Sequence, residues 1–264
     1  MDSSGARAQA KWLTRDMSSF LCVFASLWLL TLPAESYAQR RGRGQAPESA
    51  KAAAAIDMTG YWVSVISEDW KFRMVTPRKG DYDLVPLTPA GRTLADTWDP
   101  AKDEAEGNPC KGYGAAAIMR APGRLHITWP NDNTLQMDME AGTQTRVLHF
   151  GQSQPQGEAA WQGYSVAEWS VDGGGRGQSR TGNLKVVTTR MRPGYLRKNG
   201  VPYSGNAVMT EYFRRITTPN GDQWLMVITE VNDPQYLNTP FVTSTQFKKL
   251  PDGSAWKPEP CSAR

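Results

Sequence analysis

Histidine and cysteine, the residues most used for proton transfer and metal binding, are scarce in this chain: two histidines and three cysteines in 264 residues. Two histidines, with no Cys-x-x-Cys pair and no cysteine beside a histidine, exclude a multi-histidine metal site and argue against structural zinc and thiol redox chemistry. No Gly-x-Ser-x-Gly, His-Glu-x-x-His, nucleotide-binding glycine loop or EF-hand loop is present. The glycines Gly173–Gly177 follow one strand pattern and lead to another without a helix, so they lack the N-terminal amides of a phosphate cradle and read as a hairpin tip. Charge of one sign is missing too. The formal net charge is only +4, which gives no electrostatic footprint for nucleic acid. No metal, cofactor or nucleic-acid partner is expected.

Long hydrophobic runs are limited to one. Phe20–Leu32 is an apolar core followed by Pro33 and the small residues Ser36 and Ala38, the layout of a secretory signal cleaved after Ala38. It is shorter than the roughly 20 residues that span a bilayer, so no stable membrane span is expected after cleavage. Met17 is an alternative start, and a periplasmic or secreted location follows. Residues 39–55, rich in Gly, Pro, Gln and Ala, read as a flexible linker, and 56–264 as one domain. Past the signal two cysteines remain, Cys110 and Cys261. In an exported chain an even pair reads as a disulfide, which would remove on the order of 4 kcal/mol of unfolded-chain entropy; the alternative is two unpaired thiols.

What is abundant is period-two alternation. Leu125, Ile127 and Trp129 alternate with Arg124, His126 and Thr128, and Leu135, Met137 and Met139 with Gln136, Asp138 and Glu140. The turn residues 130–133 between them complete a hairpin. Further strands are expected in 143–150, 161–171, 183–191, 208–217, 222–231 and 241–250, separated by Gly, Pro, Asn and Asp clusters. Thr88 as N-cap with Pro89 at the first helical position opens one short helix towards Trp98, and 103–106 adds a turn. The fold class expected is all-β: an antiparallel, closed or nearly closed barrel of about 8–10 strands with one short helix. Closure also removes exposed strand edges.

A barrel of this size is filled by its own side chains or holds one ligand. Ten Trp and ten Met supply flat and adaptable apolar walls. Trp129, Tyr164, Arg190, Tyr203 and Trp224 are the candidate ligand-binding residues. Glu168 and Glu230, with Tyr203 and His126, are candidates for acid–base work. Glu211 stands beside large apolar residues in the same way, where burial would raise a carboxyl pKa. The competing reading pairs such carboxylates with a neighbouring cation such as Arg146, Arg190 or Arg214.

Two resemblances follow from particular motifs. Gly60–Trp62 at the head of the first strand is similar to the G-x-W signature of lipocalins, and Thr210–Tyr212 to their T-D-Y signature. The resemblance implies a lipocalin-like (calycin-type) β-barrel in which Trp62 closes one end, Gly60 permits close approach there, and Arg214 or Arg215 packs on the indole. The stretches 163–170, 182–191 and 200–215 resemble a group of exported bacterial proteins of unassigned function, with Tyr164 and Tyr203 at positions where that group has histidines and Gly205 where it has a glutamate. Three functional readings result: an exported barrel binding a small hydrophobic or amphipathic molecule; a cofactor-free lyase, hydratase or isomerase on the same scaffold; or a structural envelope protein. The oligomeric state stays open.

Overall fold

The computed structural model describes residues 48–151, 154–155, 157–172 and 181–264. The signal expected at 1–38, the first part of the linker and the glycine tip at 173–177 lie outside them. The strands are β1 (Gly60–Val65), β2 (Arg124–Asn131), β3 (Thr134–Met139), β4 (Ala141–Gly142), β5 (Gln144–Phe150), β6 (Tyr164–Asp172), β7 (Thr181–Thr189), β8 (Gly194–Arg197), β9 (Val201–Tyr203), β10 (Val208–Thr217), β11 (Gln223–Asn232), β12 (Phe241–Lys249) and β13 (Glu259–Pro260). Nine of them close a barrel in the order β1-β12-β11-β10-β7-β6-β5-β3-β2, with β1 bonded to both β12 and β2. The closed barrel is as the alternation predicts.

Strand direction needs a correction. β5 and β6 run parallel, with Leu148 opposite Ser165 and Phe150 opposite Ala167, so the barrel is mixed. An odd number of strands cannot alternate direction all the way around a closed ring, so one neighbouring pair must be parallel. Parallel neighbours cannot be joined by a tight hairpin turn, so a longer connection separates β5 from β6.

Turn chemistry sets the registers elsewhere. In 219–221, Pro-Asn-Gly, Gly221 takes φ +87°, and the β10–β11 ladder runs unbroken from Thr217–Gln223 to Val208–Asn232. The helical content exceeds the one helix expected. Among the described residues there are four short α-helices, α1 (Trp70–Arg73), α2 (Pro89–Ala95), α3 (Pro100–Ala105) and α4 (Ala115–Ile118). α2 starts as expected, with the Thr88 hydroxyl accepting from Gly91 N at 3.0 Å. Asp99 caps α3 in the same way, accepting from Ala101 N at 2.9 Å. The others are single turns, too short to leave a periodic pattern. Cys110 and Cys261 are disulfide-bonded, holding the C-terminal segment where β13 pairs with β4.

Inward side chains divide the barrel into layers. At one end Trp62, fully buried, donates its indole N–H to Met58 O at 2.8 Å. The Lys249 ammonium lies 4.5 Å above its ring. The cation comes from β12; Arg215 instead donates to the Asp57 carbonyl at 3.3 Å. Burial pushes the Lys249 amine below its ordinary range, Asp57 opposes this and Arg215 adds to it. Gly60 has φ +94°, and a Cβ there would stand 2.9 Å from the Lys249 ammonium, so glycine serves both the left-handed backbone and the approach of the cation. Residues 49–53, within the segment that composition reads as linker, are fastened to this end. Ala50 N donates to Asn133 Oδ1 and Trp169 Nε1 to Ala50 O.

The middle of the barrel holds Ile127, Leu135, Met137, Leu148, Leu184, Phe213 and Phe247, all 0–1 % exposed. Over the opposite end, α1–α4, β8, β9 and the 233–240 segment form a cap. Its own apolar cluster includes Tyr82, Leu196, Tyr203 and Phe241. The disulfide and the absence, among the described residues, of any helix long and apolar enough to cross a membrane complete the picture of a small barrel closed at one end and roofed at the other.

Candidate ligand-binding cleft

The barrel interior is occupied by side chains, including a charged pair. Arg146 on β5 and Glu211 on β10 are both completely buried and form a two-pronged ion pair, Nη2–Oε2 2.6 Å and Nη1–Oε1 3.2 Å. Arg146 Nη2 also donates to Thr188 Oγ1 at 3.3 Å, and the Ser165 and Thr188 hydroxyls bond each other at 2.8 Å. This layer lies between the mid-barrel and cap clusters. Glu211 is thus the inward carboxylate among those singled out, and it takes the ion-paired alternative.

The expected site residues do not converge. Glu168 lies on the outer face, bonded to Lys185 at 3.0 Å. Glu230 and Trp224 share the outer face of β11, whose inward residues are Leu225, Val227, Thr229 and Val231. His126 stacks on Tyr61 outside the barrel, centroids 4.0 Å apart, with Trp256 edge-on to both. Tyr164 stacks on His149 at 4.6 Å, also outside, and partial burial lowers the His149 pKa. Trp129 packs with Phe150 and Trp169 at the Trp62 end. Arg190 is exposed, with φ +55°. Tyr203 is buried in the cap, 1 % exposed, and burial raises its phenol pKa. Alternation distinguishes two faces of a strand but not which one is inward, hence this scatter.

A cleft opens at the capped end. With a volume of about 450 Å³, it runs between α1 with residues 74–76, the segment 120–124 after α4, β4, residues 196–198 and the C-terminal segment. That volume is in the range of small-molecule sites. Apolar surface comes from Phe72, Met74, Val75 and Leu196, with Met74 and Val75 exposed at 57 % and 64 %. Its other character is cationic. Arg73, Arg120, Arg124, Arg197, Lys198 and Lys257 line it, against the carboxylates Glu140 and Glu259. Glu140 is already engaged by Arg124, at 3.1 and 3.2 Å.

Three of these arginines are more than nine-tenths buried: Arg73 and Arg120 at 7 % exposure and Arg197 at 3 %. They interlock through the cap. Arg73 Nε donates to Arg120 O at 2.9 Å, and Arg120 Nη2 to Asp69 Oδ2 at 3.1 Å. Arg197 Nη1 donates to Asp83 O at 2.7 Å. The Arg197 guanidinium lies 4.0 Å over the Phe72 ring, and that of Arg120 lies 5.6 Å over Phe241. Asp69 sits at φ +51° just before α1, and the exposed Leu84 beside Asp83 at φ +65°, an uncommon conformation for leucine. Burial first, and the neighbouring Arg120 second, push both Arg73 and Arg197 down to about 10. Burial likewise lowers Arg120.

Sequence reasoning missed these three residues. Arg73 ends the single-turn α1, Arg197 ends the four-residue β8 and Arg120 lies in the turn after α4, elements too short to leave a pattern, and the available signal was local: arginine between apolar neighbours, as in Phe72-Arg73-Met74 and Met119-Arg120-Ala121. Comparison with protein-family models, with curated proteins and with solved structures returned no match. The geometry alone therefore carries the functional reading.

Proposed function

We propose that this protein is an exported barrel that binds a small amphipathic molecule in the cleft at its capped end. One observation carries the reading: a cleft of about 450 Å³ that places apolar walls beside buried cations, on a barrel whose interior is already occupied. Such a lining suits a molecule with an apolar body and a polar head. The disulfide supports export, and Trp62 acts as the end plug that the lipocalin resemblance implies. The enzymatic reading draws little support, since Glu168 and Glu230 face outward and Glu211 has no solvent access. An envelope-partner reading rests on the exposed Tyr212, Ile228 and Val242 of the outer sheet, which adjoin on β10, β11 and β12 as a patch of three side chains, small for a docking surface.

The test uses a neutral apolar fluorophore, N-phenyl-1-naphthylamine. It is expected to bind with a stoichiometry near one and to be weakened at least about tenfold by the double substitution Met74→Asp/Val75→Asp. Both residues are exposed, so the fold should tolerate the change, and the new carboxylates put charge where the apolar body rests. Unchanged affinity in the double variant would remove the cleft as the binding site.

A further inference from the structure

The cleft walls leave the nature of the polar head to be decided, and Arg197 decides it. A guanidinium offers two forked edges to a carboxylate or phosphate. In Arg197 one nitrogen, Nη1, is tied to the Asp83 carbonyl, whereas Nε and Nη2, which make up the side-on edge, have no partner. Nη2 of the adjacent Arg73 is also without one. Unpaired N–H groups on side chains this deeply buried are costly. The fold nonetheless fixes the planes of these groups, through Phe72 under Arg197 and the Arg120 carbonyl that accepts from Arg73 Nε, and leaves the donors unpaired and shut off from solvent beside the cleft.

Resting on the cleft as an amphiphile site, we propose that the ligand's head is an oxyanion, a carboxylate or a phosphate, held by the cluster of Arg73, Arg120 and Arg197, whose unpaired donors, Arg197 Nε and Nη2 and Arg73 Nη2, become accessible to it as it binds. Three observations converge on it. The Arg197 guanidinium is already immobilised by its ring and carbonyl contacts, so little side-chain freedom is lost on binding. Arg73, Arg120 and Arg197 crowd together; Glu68, Asp69, Asp81 and Asp83 counter this in part, and of these Asp69 makes a direct ion pair, with Arg120. An incoming anion reverses the unfavourable effect of that crowding. Finally, Phe72, Met74 and Val75 border the same cleft, so an apolar body attached to the anion meets apolar surface as its head meets the fork.

Isothermal titration calorimetry with octanoate, octyl phosphate, octanol and octylamine separates the possibilities, because the tail is constant and the head alone varies. The two anions are expected to bind at least about tenfold more tightly than octanol, and octylamine more weakly than octanol. Arg197→Lys keeps the charge but not the fork. It should abolish the preference for anions while leaving octanol affinity within about threefold, with a lower thermal midpoint from the lost Phe72 and Asp83 contacts. Should that variant unfold, the wild-type series alone decides the matter. Octanoate ahead of octyl phosphate identifies a carboxylate ligand, and the reverse order a phosphate. Octanol binding as tightly as both anions would overturn the oxyanion head while leaving the cleft as an amphiphile site. Binding by none of the four would overturn the cleft itself.

Discussion

Replacing Arg146 by methionine is expected to lower folding stability by about 3–5 kcal/mol, because it leaves the Glu211 carboxylate without its partner inside the barrel. Both side chains are completely buried, so no water can take the place of the guanidinium. The double variant Arg146→Met/Glu211→Met removes both charges and should recover most of that loss, since a buried pair often does no better than apolar residues of similar size. Urea unfolding of the two singles and the double gives the coupling directly.

A deficit below about 1 kcal/mol at neutral pH, or a double variant no better than the single, would show that the pair is not electrostatically coupled as its distances imply.

The second large effect is at the opposite end of the barrel. Trp62→Ala is expected to cost about 3–5 kcal/mol, as for other fully buried aromatic residues. For a domain of this size that is a fall of roughly 6–20 °C in thermal midpoint. The loss has three parts: the apolar area of the indole, its hydrogen bond to the Met58 carbonyl, and the seat of the Lys249 ammonium. Trp62→Phe keeps most of the area and should lose markedly less. A Trp62→Ala protein with an unchanged midpoint would mean that the residue does not close the barrel.

Legibility in sequence follows the length scale of each feature. Barrel strands were readable because an inward-facing row repeats every second residue over six to ten positions, as in β10 and β11. The buried ion pair was legible only in part: Glu211 shares a row with Met209 and Phe213, and Arg146 with Leu148 and Phe150, but Glu230 shares one with Trp224, Met226 and Ile228 that faces outward, so an apolar row alone does not say which carboxylate needs a buried partner. Strand direction was not readable, because alternation is the same for parallel and antiparallel neighbours; the β5–β6 pairing shows only in closure and in the longer connection between the two strands. The cap left almost no trace, since its single-turn helices and loops have no period. The arginine cleft was hidden for that reason. Arg73, Arg120 and Arg197 are brought together by the end of α1, the turn after α4 and the end of β8, and their meeting is a property of the roof the chain builds over its own barrel.

The most direct test of the cleft is to locate a bound amphiphile. A crystal of the protein with 8-bromooctanoate, measured at the bromine edge, reports the position of the tail end through its anomalous signal. The signal is expected in the cleft beside Phe72, Met74 and Val75, with the carboxylate on Arg197. A bromine inside the barrel beside Phe213 and Leu148, or on the outer sheet beside Tyr212 and Ile228, would contradict the assignment.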